Sequence, residues 1–211
     1  MKVYLLSNDR ACYDAFHHYF GMEKDVLPVY ADFSDFMRTY TVECVVSPAN
    51  AFGQMDGGYD EAITNYFGDA LQRTVQEYIL SHYYGEQPVG TSFLVDAGRD
   101  GQKLIHTPTM RTPSVIREPL VVYQAMRTTL MCAIENKIES IVIPAFGAAT
   151  GAVPAMTVAY YMRKAYDQIK NSDLITINLA NNDILSYSSM KSFKRRLREG
   201  WRSFRNAFAS I

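Results

Sequence analysis

The stretch from Val45 to Asp60, VVSPANAFGQMDGGYD, constrains the fold more than any other part of this chain. It begins as a β-branched apolar run of the kind that fills a buried strand. Pro48 then ends the strand, because proline cannot donate a hydrogen bond to a sheet ladder. A loop containing Gly57 and Gly58 follows, and helical spacing resumes at Asp60. The stretch therefore predicts a strand, a loop and a helix start, an arrangement that presents free backbone N–H groups to an anion.

Strand and helix patterns alternate along the remainder of the chain. The predicted strands are Val3–Leu6, Val26–Tyr30, Glu43–Val46, Thr91–Ala97, Lys103–His106, Ile138–Phe146 and Leu174–Leu179. The predicted helices are Arg10–Phe20, a short helix capped by Ser34, Asp60–His82, Leu120–Asn136 and Met156–Ile169. Such alternation predicts an α/β domain with helices on both faces of the sheet.

Three details indicate how the sheet is arranged. Pro28 in the second strand favours an edge position. The run Ile138–Phe146 has almost no polar alternation, which is typical of a central strand covered on both faces. The pair of strands near residue 100, joined by a Gly98–Gly101 turn, indicates an antiparallel member in an otherwise parallel sheet.

Composition narrows the class of protein. A chain of 211 residues with 48% hydrophobic content can bury a core as one domain, and no linker-like stretch divides it. The N-terminal apolar run is too short for a signal peptide, and no apolar run reaches the length of a membrane span. We therefore expect a cytoplasmic protein without membrane contact.

Metal and cofactor chemistry are not expected. The three cysteines, Cys12, Cys44 and Cys132, lie in apolar stretches without a CxxC pair, which predicts buried free thiols. The four histidines lack metal-ligand spacing to cysteines or carboxylates. We therefore predict neither a metal site nor a cofactor.

The charge is distributed unevenly. The last 22 residues, 190–211, carry a net charge of +6, and the preceding 189 residues carry −7. In residues 190–211 the apolar side chains recur every three or four positions, which predicts an amphipathic helix. We expect a domain over 1–189 and a basic C-terminal helix over 190–211, packed on that domain. Contact of this helix with nucleic acid or a partner protein is the alternative.

Two glycine-bearing loops follow buried strands, one at residues 53–59 and one at 147–151. Ligands of α/β sheets bind where such loops converge at the carboxyl ends of strands. Two loops of matching construction predict a site for a diphosphate. The chain lacks both GxGxxG after its first strand and GxxxxGK[ST], so the standard nucleotide motifs are absent.

Four motifs together resemble the macro domain family. VVSPAN followed by GGYD is similar to the family's NAAN-like tetrad, glycine triplet and aspartate, and Asn50 and Asp60 have the family's ten-residue spacing. PAFGAATGAVP (Pro144 to Pro154) resembles its diphosphate loop, LIHTP (Leu104 to Pro108) its apolar-His-Thr strand end, and Ala31-Asp32-Phe33 its short motif for adenine. The resemblance covers residues 31–154.

The resemblance implies a three-layer α/β/α fold with a mixed, mostly parallel six-stranded sheet, and ADP-ribose as the ligand. Asp32 and Phe33 would contact adenine, and the backbone of Gly57, Gly58 and Tyr59 would hold the diphosphate. The second loop, Gly147, Ala148, Ala149, Thr150 and Gly151, would hold it from the other side.

The resemblance also implies roles for two residues near the bond that is cleaved. Asn50 would bind the hydroxyls of the distal ribose, and Asp60 would orient or activate a water in hydrolytic members. Cleavage of an ADP-ribosyl bond passes through an oxocarbenium-like state, which a neighbouring carboxylate stabilises. The alternative for Asp60 is a carboxylate that stabilises a helix N-terminus, and for Asn50 an amide that bonds its own turn.

The chain departs from the family pattern at two places. The glycine triplet is Asp56-Gly57-Gly58, which adds a negative charge beside an anionic ligand. In the second loop Ala148 and Ala149 replace Thr-Gly, and a positive φ at Ala149 would be strained.

Other polar residues have simpler interpretations. His106 is expected as a hydrogen-bonded histidine at a strand end rather than a base. Arg111 and Arg117 lie in the proline-rich loop Thr107–Pro119, where they would reach a phosphate or remain in solvent.

Three functions follow from the sequence. The first is an ADP-ribose-binding enzyme that hydrolyses an ADP-ribosyl linkage or ADP-ribose 1″-phosphate without a metal. The second is a non-catalytic module that reads ADP-ribosylated partners or sequesters a nucleotide signal. The third is a nucleic-acid-associated protein that uses the basic segment 190–211.

Overall fold

Six strands form one mixed sheet in the computed structural model, which describes residues 1–171. The strands are β1 (Lys2–Ser7), β2 (Val26–Tyr30), β3 (Cys44–Ser47), β4 (Phe93–Asp96), β5 (Lys103–His106) and β6 (Ser140–Pro144). Their order is β2-β1-β6-β3-β5-β4, and only the β4–β5 pair is antiparallel. The carboxyl ends of the five parallel strands therefore lie along one edge of the sheet.

Six helices accompany the sheet in the described part of the chain. They are α1 (Arg10–Phe20), α2 (Phe33–Thr39), α3 (Gly58–Phe67), α4 (Ala70–Tyr83), α5 (Leu120–Glu135) and α6 (Ala155–Lys170). Residues Met1–Ile169 make up one compact unit. No helix within residues 1–171 is both long and apolar enough to cross a bilayer.

Neighbouring residues of the same strand enter two separate hydrophobic clusters. On β3, Val46 belongs to a cluster with Phe16 of α1, Met126 of α5 and Met162 of α6. Val45 belongs to the other cluster, with apolar residues of α2, α3 and α4. Because side chains alternate across a sheet, the helices cover both of its faces. This confirms the predicted three-layer α/β/α fold with a mixed six-stranded sheet.

The predicted positions of two strands are confirmed by the strand order. β2, which contains Pro28, is an edge strand, and β6 lies between β1 and β3 at the centre. The predicted strand Ile138–Phe146 was too long, because it includes loop residues on either side of Ser140–Pro144.

Two details of the helix prediction were wrong. The single helix predicted over Asp60–His82 is divided into α3 and α4, because Gly68 adopts φ 95°, which an α-helix does not permit. The cap of α2 is Asp32 rather than Ser34, and its carboxylate accepts a hydrogen bond of 2.8 Å from the Asp35 N–H.

The predicted strand Leu174–Leu179 and the predicted helix over 190–211 lie outside the described residues, so the domain boundary at residue 189 stays a prediction. All three cysteines are buried and unpaired, as expected from their apolar surroundings.

Candidate ligand-binding cleft

Two adjacent chambers with shared lining residues lie at the carboxyl ends of β1, β3 and β6. The first chamber has a volume of about 440 Å³ and lies between the start of α1, the start of α2 and the loop after β6. The second chamber, of about 340 Å³, lies between the loop after β3 and the same β6 loop. Their shared wall consists of Gly58, Tyr59, Pro144, Ala145 and Ala149. A ligand with two groups joined by a short linker therefore matches the outline of the cleft.

All twelve residues predicted to bind or act on the ligand line these chambers. Asp32, Phe33 and Ala148 line the first chamber, and Gly58, Tyr59 and Ala149 line both. The second chamber contains Asn50, Gly57, Asp60, Gly147, Thr150 and Gly151. The structure thus brings together residues that are far apart in the sequence, while their ligand contacts stay a prediction.

The first chamber combines a carboxylate with an aromatic ring. Asp32 uses one oxygen to cap α2, which fixes its position at the chamber wall. The ring of Phe33 is buried and packs edge-on against Tyr59, with 5.4 Å between ring centroids. A flat apolar wall beside a hydrogen-bond acceptor suits an aromatic base that carries an amino group.

Sequence reasoning missed the part of the first chamber that follows β1. Asn8, Asp9 and Cys12 line it, and Asp9 caps α1 through a 2.7 Å hydrogen bond from the Ala11 N–H. Burial raises the pKa of Cys12 to about 11, so this thiol stays protonated. The polar residues that follow β1 could have indicated this part of the chamber, because the carboxyl ends of all parallel strands border this edge of the sheet.

Gly57 and Gly58 leave open space at the start of α3. A Cβ atom built on either residue would have no heavy atom within 4 Å. Both residues are exposed, and Gly58 adopts φ 57°, which favours glycine. The adjacent Asp56 is exposed and also lines the second chamber, so its charge borders the ligand space.

Gly147 and Gly151 in the second loop are packed tightly. A Cβ at Gly147 would lie 2.7 Å from Cδ1 of Ile116, and one at Gly151 would lie 2.6 Å from the same atom. The Ile116 N–H donates to the Gly151 carbonyl at 2.8 Å. The glycines here make room for a neighbouring loop, a reason that sequence reasoning missed.

Positive φ angles in this loop fall at Gly147 and Ala152 rather than at Ala149. The strain anticipated at Ala149 is therefore absent, and the replacement of Thr-Gly by Ala148-Ala149 does not distort the loop at that residue.

Asp60 is a buried carboxyl group at the wall of the second chamber, with 8% of its surface exposed. The Ser47 hydroxyl donates to Oδ1 of Asp60 at 2.6 Å. Burial raises the pKa of Asp60 to about 7, against the opposing effects of hydrogen bonds from Ser47 and the Ala49 backbone. This carboxyl group therefore exchanges a proton near neutral pH, as a general acid or base requires.

Asn50 uses its side chain within its own loop. Its Oδ1 accepts a hydrogen bond of 3.0 Å from the Phe52 N–H, and its Nδ2 lies 3.3 Å from Oε1 of Gln54. This is the turn-forming alternative considered for Asn50. The residue nevertheless lines the second chamber, where a ligand hydroxyl would compete with Gln54 for its amide.

Only one of the two ring nitrogens of His106, at the end of β5, has a hydrogen-bond partner. Its Nδ1 bonds Oε1 of buried Gln87 at 2.6 Å, while its buried Nε2 has no hydrogen-bond partner. Because the Gln87 oxygen only accepts, the proton is assigned to Nδ1. Burial lowers the pKa of His106 to about 3, so the ring is neutral. The expectation of a fully hydrogen-bonded histidine was therefore wrong at Nε2.

The two arginines of the 107–119 loop do not line either chamber. Arg111 forms a bidentate ion pair with Glu86 at 2.7 and 2.9 Å, and both side chains are exposed. Arg117 is exposed. Thr109, Met110 and Pro113 of the same loop do line the second chamber. Within residues 1–171 no group of three or more His, Cys, Asp or Glu residues is placed to hold a metal ion.

Comparison with known proteins identifies the fold. Similar structures include the Oceanobacillus iheyensis macrodomain with MES bound, at a TM-score of 0.56 and 19% identity over 78% of this chain and 87% of that one. The Mycobacterium tuberculosis DarG macrodomain has a TM-score of 0.54 and 19% identity, over 62% and 84%. A variant O. iheyensis macrodomain with ADPR has a TM-score of 0.55 and 20% identity, over 61% and 71%.

Sequence comparison extends to two uncharacterized proteins. One from Aeropyrum pernix is 33% identical over 119 residues, which cover 56% of this chain and 59% of that protein. One from Sulfurisphaera tokodaii is 27% identical over 146 residues, which cover 67% and 78%. The match thus spans about three fifths of the A. pernix protein. The family model described as Macro domain matches residues 46–162, more than half of the chain, so this protein belongs to the macro domain family.

Proposed function

We propose that this protein binds ADP-ribose, or the ADP-ribosyl group of a modified molecule, in the cleft formed by the two chambers. The observation that carries the proposal is the pair of chambers sharing one wall, with Asp32 lining the first and Asp60 lining the second. The O. iheyensis macrodomain, solved with ADPR and with ADP, supports the choice of ligand.

Each chamber suits one part of this ligand. In the first chamber the adenine ring would lie against Phe33, and its amino group would donate to the free oxygen of Asp32. The diphosphate would lie along the shared wall at Gly58 and beside Gly57 of the second chamber, where both glycines leave open space at the start of α3. The distal ribose would then occupy the second chamber with Asn50.

The proposed chemistry is hydrolysis of the bond between C1″ of the distal ribose and the group it modifies. Water attacks C1″, the bond to the leaving group breaks with its electron pair, and the proton of the water passes to Asp60 or to the leaving group. A carboxyl group whose pKa is about 7 is both partly ionised and partly protonated at neutral pH, so it can accept this proton. The carboxylate also stabilises positive charge that develops at C1″.

Binding is tested by titration calorimetry of the protein with ADP-ribose. We expect saturable binding, and the absence of heat with folded protein would refute the proposal. Hydrolysis is tested by release of ADP-ribose from ADP-ribosylated protein and from ADP-ribose 1″-phosphate. Asp60→Asn should abolish turnover, and Glu61→Gln, which alters the next carboxylate of α3 outside both chambers, should retain it.

A non-catalytic reader is the second candidate. One oxygen of Asp60 accepts a hydrogen bond from Ser47, which makes that oxygen a weaker base and favours binding without turnover. Binding of ADP-ribose by the wild-type protein without turnover of any tested linkage would support the reader. The alternative role in nucleic-acid contact concerns residues 190–211, which lie outside the described residues.

A further inference from the structure

Tyr59 combines two properties that a packing role does not require. The residue is half-buried and belongs to the wall shared by both chambers. Its hydroxyl oxygen is buried and has no hydrogen-bond partner. Within residues 1–171, the only other buried side-chain nitrogen or oxygen without a partner is Nε2 of His106.

An unpartnered buried hydroxyl is unfavourable in the free protein, because the group has lost its hydrogen bonds to water and gained none. Phenylalanine would provide the same packing against Phe33 without that penalty. Native proteins keep few such groups, and those that occur call for an explanation. Because this hydroxyl belongs to a residue that lines both chambers, we infer that a ligand supplies the missing partner.

The hydroxyl retains its proton and can donate a hydrogen bond. Burial, together with the charge of neighbouring Asp60, holds the pKa of Tyr59 well above its usual value, so the phenol keeps its proton. A phenolic O–H donates to phosphate and ribose oxygens, and hydrogen bonds to charged acceptors are stronger than those to neutral ones.

We propose that the Tyr59 hydroxyl is a hydrogen-bond donor to the diphosphate of a ligand that spans both chambers, and that it stays unpartnered until such a ligand binds. This inference rests on the proposed function and adds a ligand-specificity residue to it. The proposal requires a change of side-chain torsion on binding, because the hydroxyl is buried in the ligand-free protein while Tyr59 lines both chambers. The ligand class is an adenosine joined through a diphosphate to a second group.

The test compares Tyr59→Phe with Tyr66→Phe by calorimetry and thermal unfolding. Tyr66 lies further along α3 and also packs on Phe33, at 5.9 Å between centroids, but it lines neither chamber. Removal of its hydroxyl therefore controls for loss of a phenol on the same helix.

We expect Tyr59→Phe to bind ADP-ribose about tenfold more weakly than wild type, because the variant loses one hydrogen bond to a charged acceptor. Adenosine, which has no phosphate, should bind both proteins equally. The Tm of the ligand-free variant should be unchanged or higher, because the variant lacks the unpartnered hydroxyl. Tyr66→Phe should bind ADP-ribose like wild type.

Equal affinity of Tyr59→Phe and wild type for ADP-ribose would overturn the inference while leaving the proposed function intact. An equal loss of affinity for adenosine would also overturn it, because the hydroxyl would then act on the nucleoside rather than the diphosphate. A lower Tm in the ligand-free variant would overturn it as well, because the hydroxyl would then have a structural role. Failure of wild-type protein to bind ADP-ribose would instead refute the proposed function itself.

Discussion

Replacing Asp60 by asparagine should change how the stability of the protein depends on pH. Burial raises the pKa of this carboxyl group from its usual 3.8 to about 7 in the folded protein. Between these two values the unfolded chain is ionised while the folded protein holds the proton. The folded state therefore binds more protons, and the free energy of unfolding falls as the pH rises through this window.

The magnitude follows from the width of the window. Each pKa unit corresponds to about 1.4 kcal/mol, so a rise from 3.8 to about 7 lowers the free energy of unfolding by about 4 kcal/mol. Below pH 3.8 the contribution of Asp60 is fully retained, and above about pH 7 its loss is complete. An asparagine side chain cannot ionise, so the Asp60→Asn variant lacks this contribution altogether.

The assay is urea unfolding of wild type and Asp60→Asn at intervals between about pH 4 and pH 8. The measured quantity is the wild-type free energy of unfolding minus that of the variant, in which groups common to both proteins cancel. We expect this difference to fall by about 1.4 kcal/mol per pH unit up to about pH 7 and then to level off. A difference that does not vary with pH would refute the argument that Asp60 is buried as a neutral acid.

Two further predictions concern the loops around the cleft. Gly57→Val should leave the Tm nearly unchanged, because Gly57 has φ −149° and a Cβ atom added there would have no heavy atom within 4 Å. The valine side chain should fill part of the second chamber and weaken ADP-ribose binding at least about tenfold, measured by calorimetry. Ile116→Ala should lower the free energy of unfolding by about 1–3 kcal/mol in urea, because it removes the side chain packed against Gly147 and Gly151; an unchanged stability would contradict this packing role.

The fold was predictable because its signals are local. β-branched runs mark the strands, and Pro28 correctly indicated an edge strand. The division between α3 and α4 was missed because apolar residues keep helical spacing on both sides of Gly68. Gly68, with its positive φ, and Asp69 separate the two helices, and periodicity does not report backbone angles.

Residues of the cleft were predictable where a sequence motif marks them. They were not predictable where tertiary packing brings them together. The Asn50–Asp60 spacing and the loop at residues 147–151 identified residues that line the chambers. The contact of Ile116 with the second loop could not be predicted, because it joins residues distant in the sequence through tertiary packing. The hydroxyl of Ser47 reaches Asp60 only because the chain turns back after β3.

The burial of Asp60 and of His106 has a joint effect on the proton balance of folding. The two residues belong to one part of the fold, because β3 and β5 are paired in a register that places Ser47, the donor to Asp60, beside His106. Burial lowers the pKa of His106 from 6.5 to about 3, so the unfolded chain binds more protons than the folded protein in that range. The free energy of unfolding then rises with pH up to 6.5, by about 5 kcal/mol, opposite in sign to the effect of Asp60.

From about pH 4 to pH 6.5 folding therefore takes up a proton at Asp60 and releases one at His106, and the contributions of these two groups nearly cancel. Together these two groups therefore contribute little net pH dependence to the free energy of unfolding over this range. In Asp60→Asn only the contribution of His106 is left, and it should raise the free energy of unfolding as the pH rises over the same range.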